Sequence, residues 1–313
     1  MSQKLQQNTG VTAVAARKQI ERAKQAGLIK AFAELQLKSN DQFLYLEEHE
    51  STGEFRKALF SALVETRSAY AKPLLGLMAR GGIIPHYVFP TVSALPVQAP
   101  ADSSHLVADD ALKSLINWGL VYADETKAGY CVMFTPVLSE KRLSDRRLAA
   151  RLVTEQIVLT ALKDWYFLQG LTGAAASIRS DESPPQFAYF QWDFVAPSYI
   201  SALRSISNSK ISPGFLVADV ILGRKLSEAD VSYFIDKCNT IRKRHRNKPF
   251  IPFLIAEWFD KEALNLGRKH GFVFTTVKNL FGKPFYQAID SISQVIDNKA
   301  KFETKTHEFI DLI

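Results

Sequence analysis

Three apolar runs separated by helix-length amphipathic segments dominate the second half of the chain. The first, FLVADVILG at Phe215–Gly223, carries one charge, Asp219, in its middle. A long amphipathic stretch runs from Ser227 to about Arg246, and PFIPFLIAEWF follows at Pro249–Phe259. A short helical segment, KEALNLGRKHG, ends on Gly271, and FVFTTV at Phe272–Val277 is the third run. The order strand, helix, strand, helix, strand predicts a sheet with parallel crossovers covered by helices. Runs that are apolar throughout suit strands buried on both faces. A carboxylate inside such a strand is costly unless paired or bound to a metal, so Asp219 requires an explanation.

Upstream, the pattern alternates helix and hairpin. Residues 11–29 read as helix, turn, helix: Thr12 can cap a short helix, Gln19 to Gln25 continue as a polar-faced one, and Gly27 ends it. QFLYLEEHE at Gln42–Glu50 alternates as a strand does. Glu54–Ile84 is helix-rich, with an expected break at Pro73 and an end at Gly81–Gly82. Phe89–His105 is rich in proline and reads as a surface linker. Asp109–Phe134 then reads as a helix capped by Asp109 or Asp110, a strand, a turn at Lys127–Gly129 and a second strand. Both helix-plus-hairpin units resemble winged-helix domains. The resemblance implies double-stranded DNA as partner, with a helix in the groove and a hairpin against the backbone. Winged helices also serve as protein–protein scaffolds, so contact with other protein subunits stays open. The division drawn from these patterns is 1–88, 89–140 and 141–313.

Ser139–Leu171 opens on a basic cluster, Lys141, Arg142, Arg146, Arg147 and Arg151, and continues as an amphipathic helix carrying Glu155. Ser177–Gln186 reads as a polar loop and Phe187–Val195 as one strand with Asp193 near its end. Ala196–Ile206 reads as a short helical insertion. Each acid has an ordinary reading beside the functional one. Glu155 suits a solvent-facing helix position, Asp193 a cap for a helix near Pro197, and Glu257 a partner for a basic neighbour. Asp219, flanked by Leu216, Val217, Val220 and Ile221, is the hardest to place this way.

Taken in order, helix with Glu155, strand with Asp193, strand with Asp219, helix, strand, helix, strand resembles the PD-(D/E)XK, or restriction-endonuclease-like, fold. The resemblance covers a little under half of the chain. It implies an α/β fold, α+β overall: an N-terminal winged-helix region followed by a mixed sheet flanked by helices. It also implies that Glu155, Asp193 and Asp219 hold Mg²⁺ (or Mn²⁺), which activates water against a phosphodiester. The sequence departs from the family at one point. Ile221 stands two residues after Asp219 where the motif has lysine, and Lys237 on the following helix is the expected substitute, with Lys225 the weaker one. The function implied is a DNA-binding, metal-dependent endonuclease of mobile-element or phage-defence type. The alternative is a catalytically inactive DNA-binding or assembly subunit that keeps the fold as a scaffold.

Composition narrows the setting more than the chemistry. With 47% hydrophobic and 23% charged residues and no apolar run of membrane length, the 313-residue chain is expected to fold as a cytoplasmic globular protein. Two cysteines, Cys131 and Cys238, and six scattered histidines give no His/Cys zinc spacing. The net charge of +7 permits nucleic acid as a partner without demanding it. Candidate phosphate contacts are Arg146 and Arg147, and the run Arg242, Lys243, Arg244, Arg246. The latter equally suits the solvated C-terminal end of a helix, where cations meet the dipole favourably.

Overall fold

The structure, a computed structural model, describes residues 10–36, 42–50, 52–98, 105–138, 142–207, 210–245 and 248–297. Thr12 caps helix α1 (Ala13–Gln25) by accepting the Ala15 amide at 3.3 Å. This helix is continuous where a turn was expected, since its sequence holds neither glycine nor proline. Gly27, at φ +70°, leads into an antiparallel pair, β1 (Lys30–Gln36) and β2 (Gln42–Tyr45). Helices α2 (Gly53–Glu65) and α3 (Ala71–Ala79) follow. The break lies between them and not at Pro73, which falls in the first turn of α3, where its missing N–H has no helical acceptor to lose.

The stretch expected as a surface linker is instead core at its start. After β3 (Ile83–Pro85), residues Phe89–Ser93 form helix α4, and Phe89, Val92, Ala94 and Leu95 are buried. Proline content suggested a linker, but Pro90 sits in the first turn, where it is tolerated, and Phe89 and Val92 are spaced to share one helix face. Residues 99–104 lie outside the described residues. Helix α5 (Ala108–Asn117) starts from Val107 with no side-chain cap; Asp109 and Asp110 lie within its first turn, where they complement the helix dipole. Strands β4 (Val121–Thr126) and β5 (Gly129–Phe134) form a hairpin, and β3 adds to β5 to make an antiparallel three-stranded sheet. One apolar cluster joins Phe55, Leu59, Leu74, Val92, Leu115 and Phe134, so α2 to β5 share a core.

Ser144 caps α6 (Asp145–Leu168). Next comes β6 (Ser177–Ile178). The stretch expected as one strand over Phe187–Val195 is a tight hairpin, β7 (Gln186–Phe187) and β8 (Phe190–Gln191), followed by a separate strand β9 (Phe194–Ser198). The turn residues are Ala188 (φ +53°) and Tyr189 (φ +67°), a left-handed pair that normally announces itself as Asn-Gly. Pro197 lies in β9, so Asp193 caps no helix there and the expected helical insertion is absent. A small hairpin, β10 (Ser205–Ser207) and β11 (Lys210–Ser212), precedes β12 (Gly214–Leu226). Then come α7 (Glu228–Arg244), β13 (Phe250–Phe259), α8 (Lys261–Lys269) and β14 (Val273–Thr276). Helical residues Val277–Asp297, broken at Gly282 (φ +85°), form α9.

The chain is thus an α/β protein built on a five-stranded mixed sheet, in the order β14-β13-β12-β9-β6. β12, β13 and β14 are parallel, while β9 runs antiparallel to β12 and to β6. Strand alternation sorts β12 into two layers. Val217 and Ile221 pack with α7, α8 and Ala79 of α3. Leu216, Ala218, Val220 and Leu222 pack with Val158, Leu159 and Leu162 of α6 and with Ile289 of α9. No helix among the described residues is long and apolar enough to cross a membrane. Cys131 and Cys238 are buried and free.

The α3–α4 contact depends on a glycine. A Cβ on Gly76 would stand 2.0 Å from the Val92 carbonyl oxygen, which is backbone and cannot step aside. Gly76→Ala is expected to lower stability by about 1–3 kcal/mol despite alanine's better helix propensity, read as a lower urea midpoint.

Candidate functional site: a buried charge cluster

The antiparallel pairing of β12 with β9 ends at Ala218↔Phe194. Beyond that register the next β12 amides on the same side, Val220 and Leu222, have no strand to donate to, and buried N–H groups must find acceptors. Carboxylates supply them. Val220 N–H donates to Asp193 Oδ2 at 2.8 Å, and Leu222 N–H donates to Glu155 Oε1 at 3.2 Å. Asp193 in turn donates its own amide to the Ala218 carbonyl (3.1 Å) and to Asp219 Oδ1 (3.3 Å). The two acids continue the sheet's hydrogen bonding with side chains where β9 has left off.

All three sequence-predicted carboxylates come together here, and all are wholly buried. Four cations answer them. Arg179 bridges two acids, with 2.7 Å to Glu155 and 3.1 Å to Asp193. Arg80, at the C-terminus of α3, bridges the same two, with 2.6 Å to Asp193 and 3.4 Å to Glu155. Arg151, one turn before Glu155 on α6, lies 3.6 Å from it, and its guanidinium also donates to the backbone oxygens of Arg80 and Ile83. Lys237 comes from α7 on the other side of the sheet. Its Nζ lies 3.0 Å from Asp219 Oδ2, donates to the Thr91 carbonyl at 3.2 Å, and sits 3.7 Å from the centroid of the Trp192 ring.

Electrostatics follow from burial and pairing in opposition. Burial alone would lower Arg80 and Arg179, but Asp193 and Glu155 hold both above the usual guanidinium value. For Arg151 burial wins, bringing it down to about 10 with Glu155 opposing. Burial would raise Asp193; Arg179 and Arg80 overturn this and bring it to about 2. In the Asp219–Lys237 pair burial prevails on both sides, raising the acid and lowering the amine, with each partner opposing.

The other candidates fall elsewhere. Lys225 is exposed. Glu257 is half-buried and accepts from the Gly223 amide and the Tyr286 hydroxyl, both at 3.1 Å, so its partners are not basic. Arg146, Arg147, Arg242, Lys243 and Arg244 are exposed, and Arg246 lies outside the described residues. Sequence reasoning missed Arg80, which fell at the end of the helix-rich stretch Glu54–Ile84, and Arg179, which fell in the polar loop Ser177–Gln186, and it placed Arg151 in a basic cluster. One signal was legible: Arg151 and Glu155 stand four apart on a helix, the spacing of an ion pair.

The resemblance implies a divalent cation at these carboxylates, and the residues present do not fit one. Each of the six carboxylate oxygens already accepts from a protein donor. Four cationic side chains already face three anions, so a metal ion would add charge to a site in positive excess. Among the described residues no group of three or more His, Cys, Asp or Glu side chains is arranged to hold a metal.

No protein-family model matches the chain, and neither does any curated protein. Among solved structures it is similar to an EndoMS–dsDNA2 complex, with 11% identity over 47% of this chain and 51% of that one, at a TM-score of 0.28. It is also similar to EndoMS in apo form (11% identity, 50% and 63% covered, TM-score 0.24). A third is the DNA modification-dependent restriction endonuclease AspBHI (10% identity, 65% and 64% covered, TM-score 0.25). The chain spans about half the length of the first and under two thirds of the other two.

Two measurements check the cluster. Lys237→Met strands a buried carboxylate and is expected to cost about 3–5 kcal/mol, whereas the double change with Asp219→Asn costs less; a double-mutant cycle in urea reads the difference. Asp193, moved from 3.8 to about 2, contributes stability that is full above its unfolded pKa and lost as pH falls through the folded one. The stability of Asp193→Asn is therefore expected to vary less than the parent's across that acid window. Asp219, raised, acts in the opposite sense, its contribution declining as pH climbs from the ordinary value through the folded one.

Proposed function

We propose that this is a DNA-binding protein whose mixed sheet, ordered like the restriction-endonuclease-like fold, is a non-cleaving scaffold. One observation carries the reading: the three carboxylates of the nuclease-like centre are sealed from solvent and saturated by Arg80, Arg151, Arg179, Lys237 and β12 amides. Phosphodiester hydrolysis needs free carboxylate lone pairs, a metal ion and a path for the scissile phosphate, and the cluster supplies stability in their place. DNA binding is supported by the +7 net charge, by exposed arginines, and by the order helix then hairpin in α1–β1–β2 and α5–β4–β5, as in winged helices. Phe167 and Leu168, exposed at the end of α6, suit contact with another subunit. A DNA-holding subunit of a mobile-element or phage-defence assembly is the setting such a protein fits.

A second reading, Mg²⁺- or Mn²⁺-dependent cleavage, is favoured by one contact. Lys237 stands 3.0 Å from Asp219, where the migrated lysine of the motif would stand. It requires Arg80 and Arg179 to leave the acids. Incubation with single- and double-stranded DNA and either metal is expected to give no cleavage above that of Asp219→Asn, while the protein retains DNA in a gel shift. Metal-dependent cutting that Asp219→Asn abolishes would restore the enzyme.

A further inference from the structure

The two basic runs singled out in the sequence, at the start of α6 and the end of α7, are both exposed among the described residues, and the structure separates them. At the end of α7, Arg242 donates to the carbonyls of His270 (2.7 Å) and Gly271 (3.2 Å) and lies 4.3 Å from the centroid of the Phe272 ring. Arg244 is hydrogen-bonded to His105 at 3.2 Å. These guanidiniums are engaged in closing the end of α8 and tying down a distant segment. The second patch is a groove of about 620 Å³ between the β4–β5 turn and the start of α6. Among the described residues its lining is Lys127, Arg142, Arg146 and Arg147 against Asp145 and Asp297, with Ser144 and no apolar residue. Arg142 is positioned by a 2.7 Å bond to the Tyr122 hydroxyl, and Arg147 by a 3.3 Å contact with Asp297. Among the described residues Lys127 and Arg146 make no ion pair.

We infer that this groove is the seat of the phosphate backbone of duplex DNA, which rests on the DNA-binding reading above and says where the contact lies. Planar guanidiniums held in place by neighbours match phosphate oxygens, and unpaired Lys127 and Arg146 leave charge free to neutralise them. With no apolar residue among its described lining, the groove offers no pocket for an apolar anchor of a protein partner and no apolar face for a bilayer. The groove also joins a hairpin of one unit to the helix that carries Glu155 and Arg151, so a bound backbone would lie against both parts of the chain at once.

The test is the salt dependence of binding to a fluorescent duplex, followed by anisotropy. Lys127→Ala/Arg146→Ala removes two exposed cations that make no ion pair among the described residues; Lys243→Ala/Lys248→Ala removes the same charge at the other patch, where Lys248, just after α7, is also exposed. The first pair is expected to weaken binding at least about tenfold and to flatten the slope of log affinity against log salt by about 2, roughly 0.9 for each phosphate no longer neutralised. The second pair is expected to leave the slope as it was. Equal losses in both variants would overturn the groove and leave only diffuse attraction. A parent protein that binds no duplex overturns the DNA reading itself. A parent that binds, with a slope the first pair does not change, overturns the groove alone. Polyglutamate held as tightly as the duplex would make an acidic chain the occupant and defeat the inference.

Discussion

Four cations and three carboxylates, sealed at the point where β9 parts from β12, set the terms for the rest of this structure. The cause is a simple deficit: β12 runs on past its neighbour, and its amides at Val220 and Leu222 need acceptors that no strand provides. Water cannot reach them, so Asp193 and Glu155 do the accepting. Charged acceptors then need charged partners, and the partners must come from elsewhere in the fold. Arg151 comes along α6, Arg179 from beside β6, Arg80 from the end of α3 and Lys237 across the sheet on α7. The packing of both helical layers has to deliver those groups, since leaving any acid unpaired at this depth is far costlier than the pair is favourable.

Arginine suits this position for a geometric reason. A divalent ion gathers oxygens around a point, whereas a guanidinium presents several donors in one plane and can span two carboxylates. Arg80 and Arg179 each bridge Glu155 and Asp193, which ties α6 to β9 twice over. Arg224 does comparable work nearby, gripping both oxygens of Asp230 at the start of α7 and the Met78 carbonyl in α3. The join between α3 and the large sheet is therefore polar at its edge and apolar behind it, where Leu75 and Ala79 meet the cluster around Phe234.

The large sheet was legible because its strands are continuous apolar runs and its helices carry end signals such as the Ser227–Asp230 capping box. Asp219 was conspicuous for the same reason, a charge among buried aliphatics. What stayed hidden shares one property: partners distant in sequence. Arg80 follows the last residue of a helix and Arg179 lies in a short polar segment, and nothing local marks either as buried. The β7–β8 turn was missed because Ala188 and Tyr189 adopt left-handed backbone that their side chains do not favour; the Tyr189 carbonyl accepts the Val97 amide at 2.8 Å, a partner distant in sequence. The buried start of the segment after β3 was masked by its prolines. Lys237 was legible as a partner for Asp219, and the structure pairs the two at 3.0 Å; the Thr91 carbonyl and the Trp192 ring that complete its surroundings are distant in sequence.

The reach of Arg80 has a consequence for how the molecule comes into being. Its two ion pairs close loops of 75 and 113 residues. As the chain is synthesised, the guanidinium at the end of α3 has no acid to meet until Glu155 and then Asp193 have emerged, and Asp219 and Lys237 arrive later still. Until then the surface of α3 that faces the sheet stands bare, and contacts of such long span form slowly because loop closure must precede them. The face of α3 that meets the sheet therefore waits on segments synthesised well after it, while the rest of α2 to β5 already shares a core of its own.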